Sequence, residues 1–224
     1  MSTTHTVRIW DLPTRLFHWM LLVCVVGLLI TGNVGGAWMV WHFRFGYCVM
    51  TLLLFRIVWG LVGGKWSRFA SFIYSPKSLM DYLSGKAKPE HSAGHSPLGA
   101  LSVFGLLAFL ALQVGTGLIS DDEITNAGPL TRFVKNATVS LATWWHKEVG
   151  NKVIVAMIVL HIAAILIYLW KKKQNLILPM IQGDKQMAQA VEASKDTAGS
   201  RVAALVVLAV CAAVVFWVQS LGKF

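Results

Sequence analysis

The sequence predicts an all-α integral membrane protein, in which a four-helix transmembrane bundle is followed by a fifth, C-terminal transmembrane helix. Hydrophobic residues make up 56% of its 224 residues and charged residues only 13%, which is too little polar surface for a soluble protein of this length. Five apolar runs each approach the ~20 residues that a helix needs to cross the hydrocarbon core of a bilayer. The runs cover about residues 14–33, 41–63, 98–120, 144–170 and 201–224.

The net charge of +10 indicates membrane orientation rather than nucleic-acid binding. Lysine and arginine are concentrated before the first run and in the connections after the second and fourth runs, which face one side of the membrane. These residues are Arg8, Arg15, Lys65, Arg68, Lys77, Lys86, Lys88, Lys171, Lys172, Lys173, Lys185, Lys195 and Arg201. On the other side, residues 33–40 have no basic residue, and residues 121–143 have two against three carboxylates. The positive-inside rule therefore predicts a cytoplasmic N-terminus.

The first two runs each carry one histidine. Asp11 is the expected N-cap of the first helix, which we expect to be retained rather than cleaved as a signal, and His18 lies near its cytoplasmic end. The second helix descends from His42 at its outer end to Arg56, which lies within ~40° of the same face and ~21 Å deeper. A membrane-embedded arginine needs an anionic partner. The apolar cores of these runs contain no carboxylate, so we expect an anionic ligand.

The third and fifth runs contain no histidine. The polar connection 65–96 is predicted to hold a surface helix from its N-cap Ser75 to Leu83. The third run has four glycines, which is typical of a close-packing wall. His95, just before it, is either a solvated loop residue or part of a site. Residues 186–200 are predicted to be a cytoplasmic linker to a last helix that serves as an anchor or docking surface.

The fourth run carries two histidines, His146 and His161, fifteen residues apart. On an α-helix they lie on nearly one face, separated by ~22 Å along the axis. Matched by depth, His161 pairs with His18 near the cytoplasmic side, and His146 pairs with His42 near the outer side. Two facing imidazoles at each depth suit axial ligation of a haem iron inside a helical bundle.

Two other interpretations of the four histidines stay open: hydrogen bonding to backbone carbonyls, or zinc binding, for which each depth lacks further ligands. No C-x-x-C-H motif occurs, so any haem is non-covalent. Gly46 and Gly150, each four residues after an outer histidine, are expected to leave room for a flat macrocycle. Arg15 and Arg56 near the inner pair, and Arg44 near the outer pair, are expected to bind haem propionates.

The chain resembles the bacterial cytochrome b561 family, which includes the b-type cytochrome subunits of nickel–iron hydrogenases. The resemblance rests on VRIWDLPTRLFHW, HFRFGY, LFRIVWGLVG, GHSPLGALS, GLISDD, WHKEVGNKV and LHIAAIL. It implies a membrane domain over residues 1–185, in the bacterial cytoplasmic membrane, whose four membrane histidines hold two non-covalent b haems. The fifth helix lies outside the shared pattern.

Bis-histidine ligation leaves no open position on either iron, so the predicted function is electron transfer across the cytoplasmic membrane. The electrons would pass between the quinone pool and a periplasmic partner, either a c-type cytochrome or a dehydrogenase or hydrogenase subunit. His95 is the candidate for proton exchange with quinone, because an imidazole changes charge near neutral pH. One alternative is a superoxide:quinone oxidoreductase, in which Lys147, Arg132 and Lys135 attract the anion. Another alternative is a haem-free membrane anchor or metal carrier.

Overall fold

The computed structural model describes residues 5–86, 91 and 93–222, so Lys88 and residues 223–224, named above, lie outside the described residues. In chain order the elements are β1 (His5–Arg8), α1 (Leu12–Val34), α2 (Met39–Val62), α3 (Pro76–Leu83), α4 (Pro97–Leu118), α5 (Asn136–Trp170), α6 (Ile177–Gln182), β2 (Asp184–Met187) and α7 (Ala198–Ser220). In the described part of the chain, α1, α2, α4, α5 and α7 are long and apolar enough to cross a membrane. The predicted all-α membrane architecture is therefore confirmed.

Asp11 caps α1 as predicted and also ties this helix to the end of α2. Its Oδ1 accepts from the Thr14 backbone N–H at 2.8 Å. The same carboxylate accepts from Trp59 Nε1 at 3.2 Å, Gly64 N at 3.0 Å and Ser67 Oγ at 2.7 Å. Asp11 has no exposed surface, and these donors compensate the cost of burying a charge.

The fourth transmembrane helix differs from the prediction in its start and in its regularity. α5 begins at Asn136 rather than near residue 144, because its first two turns are too polar to be recognised by hydropathy. Residues Trp145–Gly150 form a π turn between two α-helical segments. Such turns insert one residue into a helix and are frequent at functional sites. This turn contains His146.

The structure contains a two-stranded antiparallel sheet that the sequence does not predict. β1 and β2 pair in a register that places His5 opposite Met187 and Arg8 opposite Asp184. An apolar cluster lies buried beside the sheet and consists of Val7, Ile9, Trp10, Trp66, Ala93 and Met187. The segment before α1 and the segment after α5 are thus joined by the backbone pairing of β1 with β2 and by a small apolar core.

The segment 186–200, predicted as a linker, packs against the N-terminal segment. Ser194 Oγ donates to a backbone carbonyl of that segment at 2.7 Å. Asp196 accepts from Arg8 at 2.7 Å and from Arg201, at the start of α7, at 2.9 Å. Burial alone would raise the pKa of Asp196, but the hydrogen bonds from Arg201, a backbone N–H and Arg8 outweigh it and lower the pKa. The fifth transmembrane helix is therefore anchored to the N-terminal strand.

The chain divides into two compact units, each built from separate stretches of sequence. The first unit contains β1, α3, α6 and β2 together with parts of the transmembrane helices. The second unit contains the other parts of those helices and the connections after α1 and α4. The first unit comprises the residues up to His18, Arg56–Gly105 and His161–Val207, and the second comprises Trp19–Phe55, Leu106–Leu160 and the residues from Leu208 on.

Candidate cofactor sites

The second unit brings together His42, at the start of α2, and His146, in the π turn of α5; we call them the second-unit pair. Their ring centres are 6.1 Å apart and their ring planes stand at 87°. A metal-bound imidazole nitrogen lies about 2.0–2.1 Å from its metal, so two rings on opposite sides of one ion have centres about 6 Å apart. The second-unit pair therefore has the spacing of two axial ligands of one metal ion.

In both rings, Nδ1 is held by a backbone carbonyl of a helix that carries neither histidine. His42 Nδ1 donates to the Leu28 carbonyl of α1 at 3.2 Å, and His146 Nδ1 donates to the Gln113 carbonyl of α4 at 2.9 Å. A carbonyl oxygen can only accept, so the proton resides on Nδ1 and Nε2 keeps its lone pair. Among the described residues nothing hydrogen-bonds either Nε2. Carbonyl bonding alone therefore uses only one nitrogen of each ring.

The two supporting helices hold the rings with the same dipeptide. Thr31–Gly32 in α1 and Thr116–Gly117 in α4 each place a threonine Oγ1 3.4 Å from Nδ1 of the facing ring. A Cβ added to Gly32 would lie 3.0 Å from Cε1 of its facing ring, and one added to Gly117 would lie 2.9 Å from the corresponding atom. Glycine thus allows each imidazole to lie directly against a helix backbone.

Gln113 supports His146 a second time, through its side chain. Its Nε2 donates to the His146 backbone carbonyl at 2.9 Å, inside the π turn. Its Oε1 is buried without a hydrogen-bond partner in the described part of the chain. A Cβ added to Gly150 would meet this side chain, so Gly150 makes room for Gln113. It does not make room for the flat macrocycle that the sequence predicts there. In the sequence, the signal for Gln113 is its polar amide side chain within the apolar core of α4.

A cavity of about 600 Å³ is lined by both rings of the second-unit pair. Small-molecule and cofactor sites typically measure about 300–1,000 Å³. Gly46 lines this cavity, and a Cβ added there would have no neighbour within 4 Å, so this side is open as predicted. Most of the remaining wall inside the membrane is apolar, including Val25, Leu28, Val49, Leu110 and Ile154. These walls and the ligand pair suit a flat, largely apolar cofactor with a central metal.

Arg44 does not line this cavity in the described structure. Its guanidinium carbon lies 4.7 Å from the ring centre of Trp41. The side chain lines a neighbouring cavity of about 410 Å³ together with Tyr47, Asn126 and Gln219. The structure therefore does not bring Arg44 into the cavity of the second-unit pair.

The surroundings of His95 locate the other two membrane histidines, His18 and His161, which also lie in the first unit. Its ring centre lies 4.7 Å from that of Trp10 and 4.4 Å from that of Phe72. The residue keeps some exposed surface, yet its Nδ1 is enclosed, and burial lowers the pKa of His95 to about 3. The side chain is therefore neutral at neutral pH. A pKa of about 3 contradicts the expectation from the sequence that His95 changes charge near neutral pH.

The charges that lower the pKa of His95 further are those of Arg56, His161 and His18. Each of these three side chains therefore lies within electrostatic reach of His95, and His18 and His161 lie within reach of each other. We call His18 and His161 the first-unit pair. The structure thus brings His18, His161 and Arg56 near His95, and the assignment of the first-unit pair to one haem stays a prediction.

Arg56 is a buried cation with unused hydrogen-bonding capacity. Only 3% of its surface is exposed, and Nη1 has no hydrogen-bond partner among the described residues. Its guanidinium carbon lies 4.6 Å from the ring centre of Phe69. Asp11, which precedes the first apolar run, attracts it electrostatically without forming an ion pair within the described residues. An anionic group of a cofactor would satisfy Nη1.

Arg15, the other predicted propionate ligand of this unit, is held by the protein. Its Nη1 donates to the Ile181 carbonyl at 2.6 Å, and Nη2 lies 3.9 Å from Asp196. Its Nε is buried without a partner in the described part of the chain. One donor of Arg15 is therefore left for a ligand.

In the described residues there is no group of three or more His, Cys, Asp or Glu side chains that could hold a metal ion. A structural zinc site needs four protein ligands and a catalytic one needs three. The observed arrangement, two imidazoles with ring centres 6.1 Å apart, suits a metal whose other positions are supplied by a macrocycle.

The chain is similar to several proteins of known classification. A family model described as prokaryotic cytochrome b561 matches residues 9–183. The "Probable Ni/Fe-hydrogenase B-type cytochrome subunit" of Bradyrhizobium diazoefficiens is 24% identical over 217 residues, which cover 81% of this chain and 86% of that protein. The protein of the same description from Rhodobacter capsulatus is 24% identical, with 80% and 81% covered. The "Probable Ni/Fe-hydrogenase 1 B-type cytochrome subunit" of Escherichia coli is 25% identical over 135 residues, with 49% and 57% covered.

No solved structure matches the chain. The family match spans most of the sequence and includes all four membrane histidines as well as Arg15 and Arg56. It stops before α7, whose Arg201 donates to Asp196 at 2.9 Å. The walls and imidazole spacing of the second-unit pair fit the cofactor that this match implies, and the chain therefore belongs to the prokaryotic cytochrome b561 family, with b-type haem as its cofactor.

Proposed function

We propose that this protein is a di-haem b-type cytochrome that carries electrons across the cytoplasmic membrane, between the quinone pool and a periplasmic redox partner. The observation that carries the proposal is the second-unit pair, whose ring centres are 6.1 Å apart and whose Nδ1 atoms both donate to carbonyls beside a cavity of about 600 Å³. When bound, haem supplies one-electron chemistry by changing between its ferric and ferrous forms.

The ligands of the two haems are proposed to be the second-unit pair and the first-unit pair. The carbonyls of Leu28 and Gln113 fix the ring orientation and the tautomer of the second-unit pair, and such hydrogen bonds also raise the basicity of a ligand imidazole. The shared electrostatic influence of His18 and His161 on His95 supports the first-unit pair. Two protein ligands on each iron leave no position for substrate, which favours electron transfer over bond-making chemistry.

The propionates are proposed to bind to arginines. Arg56 is supported by its burial and by the partnerless Nη1, and Arg15 by its partnerless Nε. A guanidinium forms charge-assisted hydrogen bonds with carboxylates, so a propionate would compensate the buried cation. The proposal for Arg44 rests on its position in the sequence, because its side chain lines the neighbouring cavity.

The orientation and the partners are also proposals. The distribution of lysine and arginine favours a cytoplasmic N-terminus. The similar proteins are described as Ni/Fe-hydrogenase cytochrome subunits, which favours a hydrogenase as the periplasmic partner over a c-type cytochrome or another dehydrogenase. Quinone is proposed to bind beside His95, whose Nδ1 is buried without a hydrogen-bond partner among the described residues.

The charge around the larger cavity bears on the superoxide alternative. Asp121, Asp122 and Glu148 line it together with one basic residue, Lys147, and this lining would repel an anion. Arg132 and Lys135 are not among the described residues that line it. The remaining alternative, a haem-free anchor or metal carrier, leaves the spacing of the second-unit pair unexplained.

The proposal is tested in native membranes that contain the protein. Addition of hydrogen should reduce b-type haem of this chain, seen as an α-band in the reduced-minus-oxidised spectrum, and oxidised quinone should then reoxidise it. A spectrum without a b-type band would overturn the proposal as a whole. Reduction by quinol but not by hydrogen would remove the hydrogenase as partner while leaving the membrane cytochrome.

A further inference from the structure

Four polar side chains of the first unit form one continuous hydrogen-bonded series, which we call the tyrosine chain. Lys172 Nζ donates to the Tyr82 hydroxyl at 3.2 Å, the hydroxyls of Tyr82 and Tyr168 are 2.7 Å apart, and those of Tyr168 and Ser96 are 2.9 Å apart. Tyr82 lies in the last turn of α3, Ser96 caps α4, and Tyr168 lies in the last turn of α5. None of these side chains has a part in the haem binding proposed above.

The two ends of the tyrosine chain lie in different surroundings. Lys172 is exposed, whereas Ser96 is partly buried and directly follows His95. Tyr168 follows His161 by seven residues, which places both on the same face of α5 with a separation of ~10.5 Å along the axis. The tyrosine chain therefore leads from the aqueous surface toward the first-unit pair and its neighbour His95.

Hydroxyl groups are suited to pass protons, because each one is both a donor and an acceptor. The hydrogen bond with Tyr82 raises the pKa of Lys172, so the exposed end of the chain is a protonated ammonium at neutral pH. Chains of ionisable and polar groups at membrane depth are typical of proton relays.

A quinone site beside His95 requires such a path. His95 itself stays neutral at neutral pH, since its pKa is about 3, and it is enclosed by Trp10 and Phe72. It can accept or donate a hydrogen bond to a quinone, but it does not carry a proton in from water. The protons of quinone chemistry must therefore arrive through other groups.

We propose that the tyrosine chain conducts protons between the cytoplasm and a quinone bound beside His95. This inference rests on the function proposed above. Reduction of one quinone to quinol takes two electrons, supplied through the first-unit pair, and two protons, which form the two new O–H bonds. For each proton, every hydroxyl in the series releases its own proton to the next group and receives one from the group before it. Oxidation of quinol runs the same steps in reverse and delivers two protons to the cytoplasm.

The variant Tyr168→Phe tests this path, because it removes the hydroxyl shared by Tyr82 and Ser96 and keeps the ring. The matched control is Ser84→Ala, which removes a hydroxyl that donates to the Met80 backbone carbonyl at 2.8 Å at the end of α3 and lies outside the tyrosine chain. The purified full-length protein is mixed with a short-chain ubiquinol, and haem reduction is followed in H₂O and in D₂O. Reduction by dithionite, which needs no quinone site, is followed in parallel.

Tyr168→Phe should slow quinol-linked haem reduction by about 10²-fold, the scale of a lost proton-transfer group, with a larger solvent isotope effect. Its haem content and dithionite reduction should equal those of the parent protein, and Ser84→Ala should change neither rate. Tyr82→Phe interrupts the series from a surface helix and should reproduce the effect even if Tyr168→Phe fails to fold. Parent-like quinol rates in either folded variant would overturn the path. A parent protein that binds two haems but is not reduced by quinol would instead overturn the quinone part of the proposed function, and the path with it.

Discussion

Replacing Gly117 with alanine tests whether α4 positions His146 as a metal ligand. The added Cβ would lie 2.9 Å from Cε1 and 3.3 Å from Nδ1 of the ring, inside the ~3.5–4.0 Å at which non-bonded carbon atoms make contact. The ring is held on this side by its 2.9 Å bond to the Gln113 carbonyl. Relief of the overlap therefore moves the imidazole away from the acceptor that fixes its orientation.

The expected effect follows from losing that hydrogen bond. A displacement of about 0.5–1 Å stretches the bond beyond the range in which N–H···O contacts are effective. Loss of a group that orients a metal-binding histidine lowers metal affinity about 10–100-fold, which corresponds to about 1.4–2.8 kcal/mol. We therefore expect Gly117→Ala to weaken one haem by this factor and to leave the other unchanged.

Gly115→Ala is the matched control, because it lies on the same helix and an added Cβ there has no neighbour within 4 Å. Both changes gain up to about 1 kcal/mol of helix propensity, so the difference between them isolates the contact with His146. The assay measures the transfer of haem to excess apomyoglobin. The transfer is monitored through the loss of this protein's own b-type cytochrome absorbance. Equal haem retention in the two variants would refute the role assigned to Gly117.

Three further predictions address other parts of the structure. Asp11→Asn places an amide among N–H donors and should lower the free energy of unfolding by about 1–3 kcal/mol, seen as a lower Tm in detergent. An unchanged Tm would contradict the stabilising role of the Asp11 carboxylate. The lowered pKa of Asp196 means that its stabilising contribution is present above the ordinary carboxylate pKa of ~3.9 and is lost as pH falls through the lower folded value, so amide exchange in β1 and β2 should accelerate below about pH 4. Asp196→Asn should abolish that acid step, and its persistence would assign the step elsewhere. Arg56→Gln removes a buried cation and should favour ferric iron, lowering one midpoint potential by on the order of 60 mV. Midpoint potentials equal to those of the parent protein would place Arg56 away from both haems.

The sequence predicts the membrane helices and the histidine pairs because both depend on local composition and on helical periodicity. His42 and His146 each stand out as polar residues near an apolar run, and the alternating direction of the helices places them at one depth. The same logic predicts Asp11 as a helix cap. The structure adds three donors from elsewhere in the chain, which local sequence does not reveal.

Features that depend on contacts between distant residues are not visible in the sequence. β1 and β2 are separated by more than 170 residues and are too short to show a strand pattern. Within the π turn at Trp145–Gly150, the His146 backbone carbonyl accepts a hydrogen bond from Gln113 on another helix. The enclosure of His95 depends on Trp10 and Phe72, so a residue that sequence treats as a near-neutral titrating group is neutral in the fold.

The number of haems bound by double histidine variants tests the central claim most directly. The parent protein should bind two haems per chain, and His42→Ala one. His42→Ala combined with His146→Ala should still bind one haem, because both changes affect the second-unit pair. His42→Ala combined with His161→Ala should bind none, because one ligand of each pair is lost. One haem in the second combination and none in the first would contradict the pairing and the two-site account built on it.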